Sequence, residues 1–182
     1  MEKTALLIID MQNDFAGPEN HAHKVIPKVK ELLNFCRSKN FPIFHIYREY
    51  RADGSDIELF RLQNFMNKRK ICVPKTYGAE IVKELTPLEG EYKIVKNRFS
   101  AFMNTELDFI LRRLNIKHIV ISGTQYPNCI RTTAFDGVCY DYKVTVITDA
   151  TSAETEEIKQ ANIIDMKNIG INCITLEEFK SF

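Results

Sequence analysis

Neither sign of charge dominates this sequence: 25 Lys and Arg stand against 24 Asp and Glu, a formal charge of +1 at neutral pH. Without a basic excess there is no electrostatic footprint for a phosphate backbone or an anionic bilayer, so neither nucleic acid nor a membrane is an expected partner. Glycine and proline are scarce, 7 and 6 of 182 residues, which excludes collagen-like and low-complexity chains. No apolar run approaches the roughly 20 residues of a spanning helix. The stretch Ala5-Leu6-Leu7-Ile8-Ile9 near the N-terminus is short and ends on the carboxylate of Asp10, which makes it a buried strand and not a signal peptide. The cysteines Cys36, Cys72, Cys129, Cys139 and Cys173 are odd in number and form no Cys-x-x-Cys. That pattern fits a reduced, cytoplasmic protein with at least one free thiol. Two cofactor signatures are also missing. Asp10 to Phe15 contains no glycine with which to cradle a phosphate, and His21, His23, His45 and His118 fall into no metal-ligand spacing, so neither a nucleotide cofactor nor a metal is expected.

What is present is a packable chain, 45% hydrophobic and 27% charged, of a length that suits one domain over residues 1–182. Its strongest apolar runs are short, β-branched and separated by helical patterns, as in a parallel sheet covered on both faces. Six strands are predicted, at Thr4–Ile9, Phe41–Tyr47, Tyr92–Val95, His118–Ser122, Val144–Thr148 and Asn172–Thr175. Val25, Val29, Leu32, Leu33 and Cys36 recur at helical spacing, and Asn104 is positioned to cap a helix with Leu107, Ile110, Leu111 and Leu114 inside. Thr151 with Glu154 reads as a capping box for a helix through Ile158, Ala161, Ile164 and Met166, and Thr175 with Glu178 as another. More than forty residues separate the second and third strands, and Ser55 with Glu58 suggests a further box there. The expected class is α/β, a three-layer Rossmann-like arrangement around a six-stranded parallel sheet.

Ligands of open parallel sheets sit beyond the carboxyl ends of the strands, so the residues just past each strand carry the functional information. Asp10 follows the first strand, Lys96 the third, and Gly123 to Cys129 the fourth. Pro127 favours a helix start, which would set the Cys129 sulfur at a helix N-terminus, where free N–H groups lower a thiol pKa and form an oxyanion hole with the N–H of Gln125. Asp10 is then the base and Lys96 its electrostatic partner, a nucleophile–base–cation set that needs no histidine. The other four cysteines read as packing.

These residues resemble the isochorismatase-like cysteine hydrolases, a superfamily that includes nicotinamidase and N-carbamoylsarcosine amidase. The matching segments are Leu7 to Phe15, Val95 to Phe102, Gly123 to Cys129 with Thr133-Ala134, and Val146 to Ala150, in the family's order across the whole chain. The resemblance implies a six-stranded α/β fold, an Asp-Lys-Cys triad of Asp10, Lys96 and Cys129, a cis peptide at Thr124-Gln125, and assembly into dimers or tetramers. Where nicotinamidase-like members carry an Asp-x-His metal element after strand two, this chain has Glu49-Tyr50-Arg51, so no metal site and a substrate other than nicotinamide are expected.

The expected activity is cleavage of a C–N bond in a small amide, carbamoyl or ureido compound through a thioester. Phe15, Phe102 and Tyr126 are candidate pocket walls, and Arg48, Arg51 and Arg61 are candidates to meet a carboxylate or ureido group. Two alternatives stay open: enol-ether hydrolysis as in isochorismatase proper, and a flavodoxin-like or catalytically silent binding domain.

Overall fold

The computed structural model describes residues 2–181; Met1 and Phe182, the ends of the expected domain, lie outside it. The apolar runs form six strands, β1 (Thr4–Ile9), β2 (Ile43–Arg48), β3 (Tyr92–Lys96), β4 (His118–Gly123), β5 (Lys143–Thr151) and β6 (Asn172–Ile174), all parallel in the order β3-β2-β1-β4-β5-β6. Among the described residues the α-helices are α1 (Asn13–Ala16), α2 (Ile26–Ser38), α3 (Leu59–Asn67), α4 (Leu107–Arg113), α5 (Arg131–Cys139), α6 (Glu156–Asn168) and α7 (Leu176–Lys180). Among the described residues no helix is long and apolar enough to cross a membrane.

Alternation along the strands sorts side chains onto two cores. Leu7, Ile9, Ile46, Ile94 and Ile121 face Leu107 and Leu111 of α4, Ala134 of α5 and Met166 of α6. Leu6, Ile8, Ile43 and Val120 face Val29, Leu32 and Leu33 of α2 and Leu176 of α7. Every residue of β1 is buried, which is why that strand reads as a continuous apolar run where a half-exposed strand would alternate. The long connection after β2 has a small core of its own, in which Tyr50, Ile57, Phe65 and Cys72 pack with Phe15.

Three of the predicted helix starts are placed elsewhere. Thr151 belongs to β5, which runs on because Gly123 pairs with Thr151 and accepts from Ser152 N at 2.9 Å; the cap of α6 is Thr155, accepting from Ile158 N. That shift turns the helix, so Ile163 and Met166 are buried while Ile164 is 60% exposed. Asn104 does not cap α4; Thr105 Oγ1 accepts from Leu107 N there. Ser55 and Glu58 form no capping box, because Ser55 Oγ donates to Asp53 and the Glu58 carboxylate turns inward to Arg48 and Tyr50. Thr175 with Glu178 does form the reciprocal box on α7.

The chain proceeds outward from β1 through β2 to β3, then crosses back to place β4 on the other side of β1. The connections leaving β1 and β4 therefore diverge to opposite faces and open a crevice at the carboxyl ends of those two strands. Asp10 and the segment leading to Cys129 lie in that crevice.

Candidate active site

Asp10 leaves β1 in the left-handed region, φ 53°, a conformation that aspartate tolerates better than most residues. Its Oδ2 accepts from Lys96 Nζ at 2.9 Å and lies 3.6 Å from Arg48 Nε. Oδ1 is buried and has no hydrogen-bond partner within the fold. Asp10 and Lys96 are each 2% exposed. Two buried cations thus neutralise and hold one carboxylate oxygen, and the other keeps free lone pairs.

The thiol arrives from β4. Gly123 at the strand end has φ 114°, and a Cβ there would stand 2.3 Å from the carbonyl oxygen of Ile9, so only glycine allows the two strand ends to approach this closely. The Thr124–Gln125 peptide is cis. The turn is tied to the end of β5 by Ser152 Oγ donating to Thr124 Oγ1 at 2.7 Å and by Tyr126 N donating to Ser152 O at 3.0 Å. Residues Tyr126–Ile130 then make one π-helical turn that leads into α5, with Pro127 in its first positions.

Arg48, the last residue of β2, lies between these groups. One terminal nitrogen donates to Cys129 Sγ at 3.0 Å and to Arg98 O at 3.1 Å; the other donates to Tyr50 Oη and Glu58 Oε1, both at 2.5 Å. Tyr50 Oη donates on to Glu58 Oε2 at 2.6 Å. Burial alone would lower the pKa of Arg48, but Asp10, Cys129 and Tyr50 outweigh it and hold the guanidinium above its ordinary value. Burial likewise opposes the charge of Glu58, yet Tyr50 and Arg48 keep that carboxyl below its usual range.

The backbone of Arg48 is seated by Gln12, which is fully buried. Gln12 Oε1 accepts from Arg48 N at 2.7 Å, and its Nε2 donates to Arg48 O at 2.8 Å and Ala79 O at 2.9 Å. With β1 ended at Ile9, the side-chain amide of Gln12 stands in for the peptide that would have continued the ladder to β2.

The thiol environment departs from the helix-terminus expectation. Burial and the neighbouring Asp10 push the Cys129 pKa up, with Lys96 and Arg48 pulling the other way. Burial alone raises Cys36, to about 12, and raises Cys173 to about 11 against a small pull from Lys167. All five cysteines are free, and Cys139, expected to be packing, is exposed at the end of α5.

A pocket of about 40 Å³ opens over the sulfur, lined by Asp10, Phe15, Arg48, Arg61, Thr124, Gln125, Asn128 and Cys129. Phe15 and Gln125 both lie on this lining. Phe102 and Tyr126 are not on this lining; both belong to the core, where Phe102 packs on Tyr140 and Tyr142 and Tyr126 is fully buried. Of the three candidate arginines, Arg48 is central, Arg61 borders the pocket with Nε 3.5 Å from Glu58, and Arg51 is exposed and held by Asp53. In Glu49-Tyr50-Arg51, Glu49 pairs with Lys93, Tyr50 with Glu58 and Arg51 with Asp53. A larger hollow of about 520 Å³ lies among the amino ends of β4, β5 and β6, between Tyr142, Lys143 and Ile169, away from these groups.

The sequence reading missed Gln12, Tyr50 and Glu58 as parts of the site. Gln12 sits inside the segment Leu7 to Phe15 that carries the resemblance, so its signal was available; the inward turn of Glu58 had none, because Ser-x-x-Glu is equally the spacing of a cap.

This crevice chemistry agrees with the match of residues 4–178 to the model of the isochorismatase domain. The chain belongs to the isochorismatase family. It is 46% identical over 184 residues to a probable inactive nicotinamidase of Arabidopsis thaliana, covering 97% of this chain and 94% of that one. A crystal structure of an isochorismatase family protein from Desulfovibrio vulgaris superposes with a TM-score of 0.96 at 45% identity, over 100% of this chain and 98% of its own. The ureidoacrylate amidohydrolase of Caulobacter segnis is 29% identical over 202 residues, 97% of this chain and 84% of that one. The family is hydrolytic, and C–N bond hydrolysis occurs among these relatives.

Proposed function

We propose that this isochorismatase-family chain is, as a single domain, a cysteine-dependent amidohydrolase acting on a small amide, carbamoyl or ureido compound. The observation that carries the reading is the divided carboxylate of Asp10. One oxygen is clamped by two cations, the other has no hydrogen-bond partner, and the carboxylate lines the same pocket as the thiol, an arrangement that suits a general base.

Asp10 Oδ1 takes the proton of Cys129, and the thiolate attacks the substrate carbonyl carbon. The N–H groups of Gln125 and Cys129 hold the oxygen that becomes negative. The tetrahedral intermediate collapses by breaking the C–N bond while Asp10 returns its proton to the leaving nitrogen. Water, deprotonated by Asp10, then cleaves the thioester and restores the thiol. Lys96 keeps Asp10 oriented throughout. The small pocket suits a substrate whose reacting end is only a few atoms wide, with Arg61 at its border to meet a polar tail.

The test is turnover of a panel of small ureido acids, carbamoyl amino acids and primary amides, followed as released ammonia. Cys129→Ala is expected to fold normally and lose turnover at least a thousandfold, and the native enzyme to carry a mass increment equal to the acyl group when quenched. Retained turnover in that variant overturns the thiol mechanism; pyruvate release from isochorismate in its place would assign enol-ether cleavage.

A further inference from the structure

We propose that Arg48 is a fourth catalytic group of this site, stabilising the thiolate that forms when Asp10 takes the proton of Cys129 and keeping the sulfur aimed into the pocket. The inference rests on the cysteine mechanism above and adds to it a group outside the acid–lysine–thiol set.

The geometry points first to how completely Arg48 is immobilised. It is 1% exposed, and its planar head is sandwiched near the rings of Tyr50 and Phe99, 5.7 and 5.4 Å from their centroids. Glu58, Tyr50 and the Arg98 carbonyl fix the fork, and Gln12 fixes the backbone behind it. The donor that remains is aimed at Cys129 Sγ, at 3.0 Å. A brace between β2 and α3 would need only the contacts to Tyr50 and Glu58; the contact to sulfur adds nothing to such a brace, since a neutral thiol is a weak acceptor and a thiolate a strong one.

Charge balance points the same way. The charged groups facing the sulfur are Asp10 after β1, Arg48 ending β2 and Lys96 ending β3, with Arg61 of α3 bordering the pocket and Glu58 behind Arg48. Asp10, Glu58, Lys96, Arg48 and Arg61 sum to +1. When the proton passes from Cys129 to Asp10, the S–H bond breaks, an O–H bond forms on Oδ1, and the negative charge moves to sulfur while the net charge of the cluster is unchanged. Arg48 already bridges both ends of that transfer, at 3.6 Å from the carboxylate and 3.0 Å from the sulfur, so it follows the charge without moving.

The experiment measures iodoacetamide alkylation of Cys129 against pH, by peptide mass mapping, in the native protein and in Arg48→Lys, Arg48→Gln and the double variant Arg48→Gln/Glu58→Gln. The double variant removes the carboxylate that the single one would strand, and circular dichroism checks its fold. Exposed Cys139 is the internal reference. The expected result is a midpoint for Cys129 that rises by about one pH unit or more on loss of the guanidinium, a tenfold smaller thiolate fraction, and by less in Arg48→Lys. The Cys139 midpoint stays put, and turnover falls in parallel. A Cys129 midpoint that is unmoved or lower in the folded variants, or turnover that increases, overturns the proposal and makes Arg48 a brace or a plug. These readouts separate from the mechanism itself: loss of the Arg48 effect with Cys129→Ala still inactive refutes only the role of Arg48.

Discussion

Gln12→Leu is nearly isosteric and exchanges one buried amide for one buried branched alkyl group, so it isolates the hydrogen bonds that seat Arg48. Gln12 makes three, all with backbone groups, at 2.7, 2.8 and 2.9 Å. The leucine leaves Arg48 N, Arg48 O and Ala79 O without those partners in a region where Gln12 itself is fully buried. A buried polar group stranded in this way costs about 1–3 kcal/mol, and the crevice mouth lets water relieve part of the loss, so the expected destabilisation is about 3–5 kcal/mol. Equilibrium urea unfolding followed by circular dichroism reads this as a lower midpoint at an unchanged slope. Turnover should fall as well, because the end of β2 aims Arg48. A destabilisation under about 1 kcal/mol would refute the reasoning, showing that the ladder from β1 to β2 does not depend on a side-chain amide at its end.

Other expectations follow from single observations. Gly123→Ala places a methyl group 2.3 Å from Ile9 O at a φ of 114°; thermal unfolding should show a loss above about 3 kcal/mol or no soluble protein at all, and normal stability would mean the strand ends can part. Glu91, though partly buried, is held at about 2, below its ordinary 4.5, by Arg37, the Leu88 N–H and His45. A depressed carboxyl stabilises the fold above its unfolded pKa and loses that contribution as pH falls through the folded one, so Glu91→Gln should cost about 2 kcal/mol at neutral pH and flatten acid unfolding between about pH 4.5 and pH 2. Burial of His45 lowers its pKa below 6.5, which has the same sign and acts at higher pH, so an unchanged slope below pH 4.5 would count specifically against the Glu91 network. Arg51→Ala, at an exposed pair with Asp53, should leave turnover and stability within error.

Much of the fold was legible because burial on both faces writes itself into composition. The strand positions, the helix read from Val25 to Cys36, which begins one residue later at Ile26, and the box at Thr175 follow from local patterns that tertiary contacts reinforce. The misplaced starts at Thr151, Asn104 and Ser55 share one cause. A Ser, Thr or Asn ahead of an acidic residue satisfies the cap template wherever it stands, and here the backbone of Thr151 continues β5, Thr105 in place of Asn104 accepts from Leu107 N, and Glu58 turns inward to Arg48. Phe102 and Tyr126 were expected in the pocket for a similar reason, since an aromatic residue beside a catalytic segment reads alike whether it faces the crevice or the core.

By itself the sequence determined that an acid, a lysine and a cysteine would stand at or just beyond the carboxyl ends of three strands, because in a parallel sheet those ends all lie on one rim. Tertiary structure decided what surrounds the thiol. Helix position alone favoured a lowered pKa, whereas burial and the neighbouring Asp10 raise it. It also decided which arginine matters: Arg48, Arg51 and Arg61 differ little as letters, and only the pairing of β2 with its neighbours puts the first inside the sheet, where an unpaired charge would be too costly to keep and five polar groups converge to hold it.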